Sequence, residues 1–185
     1  MLTPSIPAAA TAVPAPATIE TLYAEAQRAA CFAGSYSRME VIASYFPRLP
    51  RLEWYRLLGE QGSVCDDISA WKVFLIPLLG RAQREELNAM MDAREREALA
   101  ALPTKFTVYR GCYACNRRGL SWSTNRAIAE TFPSLNRYRR RGDQPLLITG
   151  SIAKRQAVLK LDRDESEIIA AKVRVLREEP LPPIA

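Results

Sequence analysis

The chain contains no histidine. That absence removes Ser-His-Asp and Cys-His nucleophilic catalysis, and histidine proton transfer at neutral pH. Any catalysis here must rest on carboxylates, hydroxyls, thiols or arginines. Long apolar runs are also missing. None approaches the ~20 residues of a membrane-spanning helix, so no membrane partner is expected. The opening MLTPSIPAAATAVPAPAT lacks the basic start and unbroken apolar core of a signal peptide, and its four prolines oppose a helix. It reads as a disordered lead-in over 1–18, with a cytoplasmic address as the default.

Cysteine is scarce, with four residues at 31, 65, 112 and 115. The spacing of Cys112 and Cys115 is that of half a zinc site or of a redox pair, but no two further ligands stand at similar spacing. Both read as loop cysteines, and no metal is expected. Acid is nearly missing from one stretch. Between Arg110 and Arg141 stand eight arginines and one acid, Glu130; Arg137, Arg139, Arg140 and Arg141 make up half of them. A block of like charge is commonly a solvated loop, yet the planar fork of arginine suits phosphates. Nucleic acid bound through Arg137–Arg141, a dinucleotide, or plain solubility would each account for it.

What is present fits one α+β domain of 185 residues, 48% of them hydrophobic. Residues 19–102 read as helical. Thr18 can cap the first helix, and SRME (37–40) reads as a capping box for the second. PRLEWYRLLGEQG runs from Pro50 to Gly62. Asp66 or Asp67 caps a segment kinked at Pro77, and RAQREELNAMMDAREREALAAL reads as one long helix. Trp54, Tyr55, Trp71, Phe74 and Leu75 are expected in the core. After Pro103 come short β-type runs at 106–110, 120–124, 146–152, 157–161, 166–170 and 172–177, with a short helix that Asn125 caps. This second region spans 103–179. The closing EEPLPPIA (178–185) is too rich in proline to continue a strand, 180–185 is set apart as a tail, and there is no internal repeat.

Three signals fall in the second region. VYRG places Arg110 at a strand end before Gly111: a common solvent-reaching arginine, or one directed into a cleft to grip an anion. In GLSWSTN, Ser121 and Ser123 share one strand face while Leu120, Trp122 and Thr124 take the other; the hydroxyl face is either solvated or lines a site. In DESEII, Glu165 and Glu167 crowd like charge onto one face. A turn accounts for Asp162, Asp164 and Glu165, but less well for Glu167 at the mouth of an apolar strand.

Taken in order, the arginine, the Ser-x-Ser and the Glu-x-Glu resemble the Arg-Ser-Glu class of ADP-ribosyltransferase folds. The likeness is to short bacterial and phage-borne domains and covers about 105–177. The sister class built on His-Tyr-Glu is excluded by the missing histidine. The resemblance implies a mono-ADP-ribosyltransferase that breaks the nicotinamide–ribose bond of NAD and modifies a macromolecular acceptor. A protein arginine is implied, because the first of the two acids is Glu and not Gln. It further implies an effector, toxin or inhibitor, cytoplasmic or delivered into a target cell. In that scheme Glu167 stabilises the developing sugar cation and Glu165 serves the acceptor. Arg110, with Gly111 and Trp122, lies at the NAD, and Ser121 or Ser123 positions Glu167. The usual Ser-Thr-Ser reads here as Ser-Trp-Ser or Ser-Thr-Asn, so the register of that serine stays open. Two readings outside transfer are a domain that binds or hydrolyses NAD, and a basic nucleic-acid-binding module.

Overall fold

The computed structural model describes residues 18–66, 68–135, 138–140, 142–161 and 166–182. The lead-in up to residue 17, Asp67, Arg137, Arg141, Asp162, Asp164 and Glu165 therefore lie outside the described residues. The fold is α+β, with helices followed by an antiparallel sheet.

Helix α1 (Ile19–Phe32) is capped by Thr18, whose hydroxyl accepts from Thr21 N. Helix α2 (Arg38–Ser44) has no such cap. Ser37 makes no capping hydrogen bond, contrary to the expected box. Arg38 instead turns back and donates to the carbonyls of Ala30, Ala33 and Val64. Helix α3 (Arg51–Gln61) ends at Gly62 as expected. Helix α4 (Lys72–Arg81) accommodates Pro77 and begins several residues after Asp66, with Trp71 at its N-cap position, so Asp66 does not cap it.

The long helix expected over 81–102 is two helices, α5 (Arg84–Ala89) and α6 (Ala93–Ala101). The break has a local cause. Asp92 and Glu95 form a capping box that starts a new helix, and Gln83 and Glu86 form another for α5. The break also brings the Met90 backbone against α3. A Cβ on Gly59 would lie 2.2 Å from Met90 O, so only glycine permits this approach. Trp54, Tyr55 and Leu75 are buried; Trp71 and Phe74 are half-buried and pack against them. Phe46 meets Trp54 and Phe74 edge to face, with ring centroids 5.0 and 5.5 Å apart.

The chain leaves the helices at Pro103. Strands β1 (Lys105–Tyr113), β2 (Ser121–Ser123), β3 (Pro145–Ala153), β4 (Val158–Lys160), β5 (Glu167–Ile169) and β6 (Arg174–Pro180) form one six-stranded sheet. Its order is β4-β5-β2-β1-β3-β6, and every pairing is antiparallel. Helix α7 (Arg126–Thr131), capped by Asn125, lies between β2 and β3 in the chain. Two expectations need correction. Cys112 is buried within β1 and is not a loop residue, and the last strand continues through Glu178 and Glu179 to Pro180. Pro180 sits at the end of an edge strand, where no neighbour requires its missing N–H.

Alternation assigns the two faces. Val108, Trp122, Ile148, Ile152 and Ile168 point to the helices and join Trp54 and Leu75 in one cluster of buried residues. The opposite face is covered at one end by α7 and the turn Phe132–Ser134, through Gly111, Tyr113 and Leu147. Both sheet edges are guarded. The outer edge of β4 lies against the α5–α6 joint, where Leu161 N donates to Glu95 Oε1 at 3.1 Å. The edge strand β6 carries Arg174, Arg177, Glu178 and Glu179.

Candidate functional site

Strand register brings the sequence motifs together. Tyr109 pairs with Ser123, Ser123 with Glu167, and Glu167 with Lys160. On the other side Tyr109 pairs with Thr149, and Thr149 with Arg177. Directly opposed residues share a face, so these six side chains form one polar row across all strands. Strand spacing sets Tyr109 and Glu167 about 10 Å apart across the row. Ser121 shares this face but stands opposite Ile169. The register thus places Ser123, and not Ser121, beside Glu167.

Glu167 is half-buried at the first position of β5. Just before it, Ser166 has φ 44°. A non-glycine residue in the left-handed region carries local strain, a feature that concentrates where side chains must be aimed. Ser166 O also accepts from Thr124 N at 3.4 Å, which ties the turn to the end of β2. Ser123 is 3% exposed, and its hydroxyl accepts from Asn125 N at 3.0 Å. The same residues that start α7 therefore hold the serine.

Arg110 is placed differently from its neighbours in the motif. Alternation puts it on the face of Val108 and Trp122, opposite Tyr109, Ser123 and Glu167. Strands β1 and β2 share a single bridging pair, Tyr109 and Ser123, and separate beyond it. The guanidinium fills that gap, donating to Ser121 O at 2.5 Å and Asn116 O at 3.1 Å. Arginine thereby replaces ladder hydrogen bonds that the split removes. Gly119 makes this possible, since a Cβ there would lie 2.2 Å from the guanidinium carbon. Burial pushes the Arg110 pKa down, partly offset by Cys112, Glu167 and Tyr138. Its buried Nε has no hydrogen-bond partner among the described residues, a state that costs about 1–3 kcal/mol.

Above the split lies a crevice lined by Tyr109, Arg110, Ser121, Trp122, Ser123 and Phe132, among others. Its volume is about 20 Å³, room for one water. Helix α7 closes it. A Cβ on Gly111 would lie 1.9 Å from Ala129 O, so α7 rests directly on the β1 backbone. Tyr113 donates to Pro133 O at 2.9 Å and accepts from Arg140 N at 3.2 Å, fastening the segment after α7. Arg126 pairs with Glu130 at 2.8 Å and with Glu179 at 2.6 Å. Trp122 is buried on the core face, with its indole N–H on Gly119 O at 3.2 Å.

The arginine block is less uniform than its sequence. Arg110 is turned inward, Arg126 is paired as above, and Arg117 pairs with Glu178. Arg118, Arg139 and Arg140 make no ion pair among the described residues, and Arg137 and Arg141 lie outside them. Sequence reasoning missed Lys160 and Glu95. Lys160 Nζ lies 2.8 Å from Glu95 Oε2, and both residues are buried. This pair pins β4, and hence the strand beside Glu167, to the start of α6.

Comparison of the chain with protein-family models, curated proteins and solved structures gives no match.

Proposed function

We propose that the chain is an ADP-ribosyltransferase that uses NAD as donor and a macromolecule, a protein arginine, as acceptor. The observation that carries this reading is the register that sets Ser123 beside Glu167 on the adjacent strands β2 and β5, with Arg110 on the next strand, β1, reaching into the split from the opposite face. The residues are far apart in sequence, and the chemistry requires them within one ligand's reach.

The donor set suits the substrate. Glu167 supplies a carboxylate where the ribose becomes oxocarbenium-like, a charge pattern shared with glycoside hydrolysis. Ser123 stands beside Glu167 at the strand mouth, and Arg110, held in the split by Ser121 O and Asn116 O, is the cation that the resemblance assigns to the NAD phosphate or ribose. The carbon–nitrogen bond to nicotinamide breaks with its electron pair leaving on neutral nicotinamide. The acceptor nitrogen forms the new bond at the same carbon and releases a proton, which the resemblance assigns to Glu165. The crevice of about 20 Å³ has room for one water and not for a dinucleotide.

The test is nicotinamide release from NAD by the wild type, Ser123→Ala and Ser121→Ala. Saturable release is expected from the wild type. Ser123→Ala should lose about 10–10²-fold, the effect of one misplaced positioning group, while Ser121→Ala stays within about threefold. Equal losses in both serine variants would remove Ser123 from this role. Release only when a cell lysate is added marks transfer; equal release without it marks hydrolysis.

A further inference from the structure

We propose a second binding site, for the phosphate groups of a phosphate-bearing small molecule, in the crevice lined by Lys105, Ser151, Gln156, Lys172 and Arg174. This crevice measures about 450 Å³ and is the larger of the two described, within the range of small-molecule sites. It does not depend on the donor-site reading.

Three cations border it and no acid does. None of Lys105, Lys172 and Arg174 makes an ion pair among the described residues. The sheet places two of the cations together. Lys105 pairs with Ala153, and Arg174 with Ser151, two residues away on the same face of β3. The third is held by packing. The Lys172 stem lies over Gly80 of α4, where a Cβ would come within 3.3 Å of its Cε. Val173 packs over Gly150 in the same manner, its Cγ1 2.4 Å from where a Cβ would stand. The segment carrying Lys172 and Arg174 is thus fixed before any ligand arrives, which lowers the entropy lost on binding.

The neutral groups complete the chemistry. Ser151 and Gln156 offer donors between the charges, and Ala153, Ala171 and Val173 give an apolar wall. A di- or triphosphate fits the cations, and an apolar moiety fits the wall. The apolar wall beside the cations favours a small ligand with an apolar moiety over a polynucleotide backbone. Lys105 is four residues from Tyr109 along β1, about 13 Å, so the crevice is separate from the Glu167 row.

Calorimetric titration of the full chain with inorganic tripolyphosphate, with ATP and with a short single-stranded DNA tests this. Saturable binding of tripolyphosphate and ATP is expected, weakening as salt is raised. Lys172→Glu and Arg174→Glu, both at exposed positions, should each weaken it at least about tenfold. Arg118→Glu, an equal charge change at another exposed site, should stay within about twofold. Three outcomes would overturn the proposal: no saturable binding of either small probe, equal losses in Arg118→Glu and the two crevice variants, or DNA binding that tripolyphosphate does not displace.

Discussion

Glu167→Gln is expected to lower ADP-ribose transfer by at least about 10²–10³-fold, the range seen when one preorganised electrostatic partner of a transition state is lost. The substitution keeps the shape of the side chain and its hydrogen-bonding reach, and removes only the charge. Charge is what the reading requires, because the sugar carries positive character only as the bond to nicotinamide breaks. Glu167 stands between Ser123 and Lys160 in the polar row, at the first position of β5, where the strained turn at Ser166 aims it. Melting temperature should move by no more than about 2–4 °C, equivalent to 1 kcal/mol for a chain of this size. Unchanged transfer at unchanged stability would take Glu167 out of the chemistry.

Glu95→Ala is expected to cost about 3–5 kcal/mol, the largest stability effect of any single substitution considered. Glu95 does three things at once. It lies 2.8 Å from Lys160 Nζ, accepts from Asp92 N at 2.9 Å in the capping box, and accepts from Leu161 N at 3.1 Å at the edge of β4. Alanine leaves the Lys160 ammonium 6% exposed, with only Met90 O nearby at 3.4 Å. A buried unpaired charge is the dominant part of the loss. The double variant Glu95→Gln, Lys160→Met removes both charges and keeps one acceptor for the backbone, so it should recover much of the stability. Urea denaturation of the three proteins measures this; a double variant as unstable as Glu95→Ala would assign the loss to the backbone contacts.

The readable parts of this chain were those governed by local rules. Each strand carries its alternation or apolar run within a few residues, and Thr18 and Asn125 announce their helices by the chemistry of capping. The order arginine, Ser-x-Ser, Glu-x-Glu was visible for the same reason. The break at Met90–Asp92 was hidden beneath a continuous pattern of good helix formers, although Asp92 and Glu95 have the spacing of a capping box. The register that sets Ser123 beside Glu167 depends on how β2 pairs with β5, a choice between residues more than forty apart. The Lys160–Glu95 pair spans 65 residues, and nothing local marks either side chain as buried. Arg110 is the most instructive case. Its position in the motif was plain, but its entry into the gap between β1 and β2 follows from Gly119 and from the single bridging pair, both properties of the assembled sheet.

The most direct test of the central claim is incubation of the chain with NAD labelled on the adenylate phosphate and a cell lysate, followed by mass spectrometry of the labelled protein. The account predicts ADP-ribose on an arginine of a discrete acceptor, dependent on Glu167. Absence of label on any protein, with NAD left intact, would contradict it.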